Sequence, residues 1–220
     1  MRRREFLTLP ASSMGGVLIY ALSGEPIRLQ AQNGTLRVPL RFFTEPDART
    51  IAAAAERIFP SDASGPGAGE AGVVVYIDRQ LAGPYGRDKY RYTKGPWVES
   101  IPEHGYQGKA NPQQIYREGL RQLDGFTALS PAEQDARLTS IGKSTFFQML
   151  RTHTIEGMFC DPLHGGNAGM IGWQMLGYPG PLMSFRDDLE KYRGVPYKKA
   201  PKSLSQVVGR PVKGWEEETG

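Results

Sequence analysis

Apolar side chains recur at helical spacing along most of the chain. From Thr44 to Phe59, the residues Ile51, Ala54, Ala55 and Ile58 fall on one face, whose small side chains let a neighbouring helix approach closely. Thr44 stands as an N-cap, with Asp47 three residues on and Pro46 in the first turn. Pro60-Ser61-Asp62 ends this helix, and Ser61 to Gly69 reads as a flexible linker rich in Gly, Ser and Pro. Ala71 to Ala82 contains Val73-Val74-Val75-Tyr76-Ile77, which by composition suits a strand. No partner strand is evident nearby, so the expected element is a buried helix continuing through Leu81. Pro112 to Phe126 places Ile115, Tyr116, Leu120 and Leu123 on one face. Ser130-Pro131-Ala132-Glu133 is a capping box with proline at the first helical position, and it starts a helix that runs to about Ile141. From Thr145 a further helix carries the stripe Phe146, Phe147, Leu150, Thr154 and Met158; a short run follows from Ala168 to Leu176. The pattern predicts a mostly α protein: one small domain of five or six helices with long irregular loops and an extended C-terminal tail.

The periodicity fails in three places. Gly83 to Asn111 has none, yet it carries Tyr85, Tyr90, Tyr92, Trp97 and Tyr106. A structureless stretch of this length in a compact domain is usually functional or disordered, and the aromatics argue against disorder. Aromatics need a surface to cover, so residues 83–111 are expected to form a partner-binding arm, with Tyr85, Trp97 and Tyr106 as anchors. The second break, Asp161 to Asn167, is dense in Asp, Pro, Gly and Asn. Gly165 and Gly166 suit positive φ, Asp161 and Pro162 suit a turn, and Asn167 is placed to cap the following run. Trp173, six residues further on, can cover the loop. This is either a tight helix–helix connector or a loop held rigid for recognition. The third break is a polar tail, residues 182–220, with Lys191, Arg193, Lys198, Lys199 and Lys202 and a Trp215-Glu216-Glu217-Glu218 end. It is expected to lie extended on a surface, its own or another subunit's.

The first 31 residues differ from the rest. Arg3-Arg4-Glu5-Phe6-Leu7 resembles a twin-arginine export signal, and a weakly apolar run follows to Leu22. That run is about 16 residues and includes Pro, Ser and Gly, which is short for a membrane span. Cleavage would follow Ser23 or Ala31. Residues 32–220 then form the mature domain. The whole chain of 220 residues has a formal charge of +4, and the four arginines and two glutamates of residues 1–31 account for half of it. The remaining +2 is too small for a nucleic-acid footprint. The single cysteine, Cys160, forbids an internal disulfide and any CxxC haem or metal motif. No glycine-rich dinucleotide fingerprint follows a strand-like run, so a flavin or nicotinamide of the chain's own is not expected.

His153, Glu156, Cys160, Asp161 and His164 lie within twelve residues. His153 and Glu156 share a helix face, and a metal site of imidazole, carboxylate and thiolate can be written for the group. A Cys160 nucleophile with His153 or His164 as base can be written too, though no oxyanion element accompanies it. The competing reading is that His153 and Glu156 pin the loop by hydrogen bonds, as buried polar groups usually do.

The segment EGMFCDPLHGGN, followed by GW and GYPGP, resembles the signature of the gluconate 2-dehydrogenase subunit 3 family. The resemblance extends upstream through AAAAERIFP, GPYGRDKYRYTKGPW, GYQ and PQQIYREGLRQLD, and so spans about Asp47 to Pro181. At Cys160 and His164 the loop departs from the family pattern, where a small residue and a tyrosine are usual. The resemblance implies a cofactor-free, non-catalytic small subunit of a membrane-bound, flavin-dependent sugar or sugar-acid dehydrogenase. FAD would sit in a GMC-type large subunit and haem c in a further, multihaem cytochrome subunit. The complex would be periplasmic, and this chain would meet the membrane only through it. Assembly and twin-arginine co-export of the flavoprotein would be its task. The alternatives are a stand-alone exported enzyme or metal-binding protein using the His153–His164 cluster, and a periplasmic structural protein without redox work.

Overall fold

The computed structural model describes residues 39–97 and 101–212 and, before them, the backbone of three short strands. The strands Val17–Leu22 (β1), Glu25–Leu29 (β2) and Thr35–Arg37 (β3) form a sheet in the order β2-β1-β3. β1 runs antiparallel to β2 and parallel to β3. The signal residues Arg3, Arg4, Phe6 and Leu7 and the acidic end after Lys213 lie outside the described residues. From Glu45 on, the protein is helical: α1 Glu45–Ile58, α2 Val73–Ala82, α3 Pro112–Gln122, α4 Pro131–Ser140, α5 Thr145–Phe159, α6 Ile171–Leu176, α7 Arg186–Lys191 and α8 Leu204–Val208. Five of these are the long helices of the sequence pattern. α6 is the short sixth run, and α7 and α8 are short turns of helix in a tail expected to be extended. None of the described helices is long and apolar enough to cross a membrane.

α2 is the centre of the body. Val73, Val74, Val75, Tyr76, Ile77, Asp78, Gln80 and Leu81 are all buried, so the helix is enclosed on every side. A β-branched run adopts a helix here because packing against α1 and α5 outweighs its intrinsic preference. Its buried carboxylate, Asp78, accepts from the N–H groups of Arg41 (2.7 Å), Phe42 (3.0 Å) and Phe43 (2.9 Å). These bonds clamp the approach to α1 and seat Phe43 in the core. Burial raises the Asp78 pKa, against the pull of the three donors.

α1 begins as its sequence predicts. The Thr44 side chain and Asp47 form a capping box, and Ile51, Ala54 and Ala55 are buried, while Ile58 is only partly so. The linker after it is not loose. Glu56 accepts from the N–H groups of Ser61 (2.9 Å) and Gly69 (2.8 Å), which folds residues 61–69 back onto α1. Arg57 reaches α4 through a two-pronged bond to Asp135. α3 opens on an Asn111–Gln114 capping box and crosses α5 at Gly119, where an added Cβ would lie 2.0 Å from the ring of Phe146. Ile115, Tyr116, Leu123, Phe126, Leu138, Phe146, Leu150 and Met158 complete one core.

Candidate functional site

The C-terminal end of α5 carries the loop that the sequence singled out. α5 approaches α2 closely at Gly157, where a Cβ would stand 3.2 Å from both Tyr76 and Val73. Asp161 caps a 3-10 turn, Pro162–His164, and Gly165 leaves it at φ +97°, a region where glycine is unstrained. Gly166 serves differently from the expectation. It needs space rather than positive φ: a Cβ there would lie 2.3 Å from the carbonyl oxygen of Gly157. Gly172 is the same case, 2.0 Å from the carbonyl oxygen of Met158. Sequence reasoning missed Gly157 and Gly172, because the signal for them is close approach across the fold, to α2 side chains at Gly157 and to the Met158 carbonyl at Gly172.

Asn167 is the keystone of this loop. It is fully buried with φ +47°, a left-handed value that Asn tolerates. Its N–H donates to the Gly157 carbonyl (2.8 Å) and its Nδ2 to the Cys160 carbonyl (2.8 Å). Its Oδ1 accepts from the N–H of Gly172 (2.8 Å), a free donor in the first turn of α6. The expected capping role is therefore real, but it reaches five residues ahead across a left-handed turn at Gly169 and Met170. Trp173 is buried, and its indole N–H donates to the Phe159 carbonyl (2.6 Å). Asp161 reaches the other way: Oδ1 accepts from Leu163 (3.1 Å) and Oδ2 from the N–H of Leu204 (2.7 Å), at the start of α8.

The titratable cluster divides: His153 turns into the core, while Glu156, Cys160, Asp161 and His164 line one open cleft. His153 faces the core, with Nε2 2.9 Å from the Tyr85 hydroxyl and Nδ1 2.8 Å from the Tyr116 hydroxyl. A neutral imidazole has one N–H and one lone pair, so one tyrosine donates to the ring and the other accepts from it. Burial lowers the His153 pKa to about 4 and raises that of Tyr85 to about 12. Glu156 turns outward from α5 and accepts from the Tyr76 hydroxyl (2.8 Å). Among the described residues no three His, Cys, Asp or Glu side chains gather as metal ligands. His153 and Glu156 are hydrogen-bonded, but to tyrosine hydroxyls of α2, α3 and the arm and not to the backbone of the loop they were expected to pin. A broad cleft of about 500 Å³ remains over α2 and α5, lined by Tyr76, Gln80, Ile155, Glu156, Cys160 and His164.

The aromatic arm divides in two. Its root belongs to the domain. Tyr85 is held by His153, and Gly86 lies so close to α2 that a Cβ would stand 1.9 Å from the Leu81 carbonyl oxygen. Tyr85 is half-buried, with its hydroxyl and ring edge held against His153 of α5, so it is tied to the domain itself. The outer part is open. Tyr90 and Tyr92 are 75% and 76% exposed, Tyr106 is exposed, and Trp97 is half-buried. The Arg91 guanidinium organises this part. It bonds Asp88 and the Gly108 carbonyl (3.0 Å) and lies over the Tyr106 ring (5.3 Å). The loop of residues 161–173 therefore presents shape, and the outer arm presents apolar surface.

The description gluconate 2-dehydrogenase subunit 3 names the family whose pattern matches residues 45–180. No curated protein matches the chain. No solved structure matches it either.

Proposed function

The chain belongs to the gluconate 2-dehydrogenase subunit 3 family, and from that premise we propose that it is a non-catalytic subunit that assembles with, and escorts, a flavin-dependent dehydrogenase. The partner is a large GMC-type subunit that holds FAD and oxidises a sugar or sugar acid. A multihaem cytochrome c subunit takes the electrons onward. This chain supplies no group to the chemistry. It folds beside the flavoprotein, and the pair crosses to the periplasm by the twin-arginine route, led by Arg3 and Arg4. Co-export suits such a pair, since flavin insertion needs a folded protein and that route carries folded cargo.

One observation carries the reading. The family match covers the residues that build α5 and the loop at its end, and the polar side chains there are engaged with the protein's own groups. Asn167, Asp161 and Trp173 hold backbone groups, His153 holds two tyrosines, and Glu156 holds Tyr76. Large apolar side chains meanwhile stand in solvent on the arm and beyond α6. That distribution suits partner binding better than catalysis.

The test is the fate of the partner. With Arg3→Lys and Arg4→Lys together, cell fractionation should find both this chain and the flavoprotein in the cytoplasm. A normal periplasmic level of the flavoprotein would contradict co-export.

A further inference from the structure

Between Gly180 and Lys202 the chain makes an excursion that is closed at its base. The Lys202 N–H donates to the Pro179 carbonyl (3.1 Å). Gly180, at φ +88°, lies so close that a Cβ would stand 2.0 Å from the Lys202 carbonyl oxygen. Two residues on, the Leu204 N–H bonds to Asp161, which ties the returning chain to the loop on α5.

Inside the excursion the polar groups hold its shape. Asp188 accepts from the Tyr197 hydroxyl (2.7 Å) and from Lys199 Nζ (2.8 Å). The Tyr192 hydroxyl donates to the Lys198 carbonyl (2.9 Å), and the Tyr192 and Tyr197 rings meet edge to face at 4.7 Å. The apolar groups stand in solvent. Met183 is 94% exposed and Leu189 70%, with Phe185 and Val195 also exposed. Phe185, the N-cap of α7, and Leu189 are one turn apart, joined by the Leu189 N–H to the Phe185 carbonyl. At the root of the excursion Leu176 is 64% exposed and Tyr178 is exposed too. A loop held in shape by its own hydrogen bonds that still leaves its largest apolar side chains in solvent is built to be covered.

We infer that residues 181–201, with Leu176 and Tyr178 at their root, dock onto the flavoprotein subunit by placing Met183, Phe185 and Leu189 in an apolar groove rimmed by carboxylates; this rests on the accessory-subunit reading above. Charge selects the rim. Residues 181–201 carry Arg186, Lys191, Arg193, Lys198 and Lys199 against Asp187, Asp188 and Glu190, a net charge of +2, and Asp188 is already taken up by Lys199. Like charges would oppose a second copy of the same face. Area fits as well. The exposed apolar residues from Met175 to Leu189 present on the order of 600 Å², against about 800 Å² per partner in a standard interface. Such a loop gives the large subunit a contact that is ordered before binding, which lowers the entropic cost of association.

The experiment is co-purification of the full chain with the flavoprotein. The first variant is Met183→Asp with Leu189→Asp; the second replaces residues 182–200 by a short Gly-Ser bridge between ends that already meet. In both, recovered flavoprotein should fall at least about tenfold, a loss typical of a central apolar anchor, while the melting temperature of the free chain holds. Full recovery in both variants would overturn the docking surface and leave the accessory reading standing. No flavoprotein on the wild-type chain would overturn the accessory reading itself, and the docking surface with it. Two further outcomes would overturn the assignment. One is unchanged flavoprotein recovery with lost binding to phosphatidylcholine–phosphatidylglycerol vesicles, which assigns the loop to a membrane. The other is unchanged recovery with loss of a wild-type homodimer, which assigns it to a second copy.

Discussion

The loop on the end of α5 and the two outlying segments, the outer arm and the excursion after Gly180, divide the work of the molecule. The loop is rich in Gly, Asp, Asn and His, the residues that most suggest chemistry. In the fold its polar atoms are largely turned on the protein itself, Gly165 takes a left-handed turn, and Gly166 marks where backbone meets backbone. The outlying segments are rich in Tyr, Phe, Met and Leu, the residues that most suggest a core. In the fold those side chains stand in solvent. A polar motif here makes a rigid scaffold, and an apolar one leaves large side chains in solvent, the surface proposed above for a partner.

Substitution on the scaffold side should have the largest effect. Gly166→Val forces side-chain atoms into the Gly157 carbonyl, 2.3 Å from the Cβ position. It should cost about 3 kcal/mol or more in denaturant unfolding of the isolated chain, and the recovered complex should fall with it. Gly177→Ala is the contrast. Gly177 has φ +65° but nothing within 4 Å of a Cβ, so only the left-handed backbone is penalised, by about 1 kcal/mol.

The His153 core makes a pH-dependent contribution of similar size. Its pKa falls to about 4 in the fold, against about 6.5 in an unfolded chain. Between those values the unfolded state binds a proton and the folded state does not, so stability drops as pH falls from 6.5 toward 4. The full window is worth about 3 kcal/mol, and above pH 6.5 this group has no titration effect. Asp78 works in the opposite sense, since its raised pKa favours the folded state on acidification. Unfolding measured across this window should therefore show a smaller fall for His153→Gln than for the wild type. An equal fall in both would remove His153 as the cause.

On the surface side the effects should move from stability to affinity. Trp97→Ala should weaken the complex by about 2 kcal/mol if the half-buried indole anchors the partner. The melting temperature of the free chain should change little. Lost stability with unchanged affinity would return the outer arm to the domain's own core.

Much of this was legible in the sequence, for reasons that can be named. The cap at Thr44 and the capping box at Ser130 are local, and local signals survive into the fold; the equally local box at Asn111 was passed over. The helix through Val73–Ala82 was legible from the lack of a partner strand, since its own residues argue for a strand. The weight of Asn167 was visible, but its reach to Gly172 was not, because that depends on left-handed turns between them. The roles of Asp78, Gly157 and Tyr85 were hidden for a common reason. Each acts on a residue at least 35 positions away, where spacing carries no information. The tail was read as extended because no periodicity runs through it. Its order comes instead from Asp188, Asp161 and the Gly180–Lys202 contact.

The smallest effect is the most telling. Cys160 sits half-buried beside Gly166, and His164 ends the 3-10 turn at the mouth of the cleft. If the loop is a scaffold and the chain supplies no chemistry, these two side chains are dispensable for turnover. The measurement is dehydrogenase turnover per bound flavin in complexes carrying Cys160→Ala and His164→Tyr. The account predicts a rate within about twofold of the wild type, a difference of less than about 0.5 kcal/mol. Abolished turnover with normal assembly and flavin content would give this chain a chemical role and contradict the account.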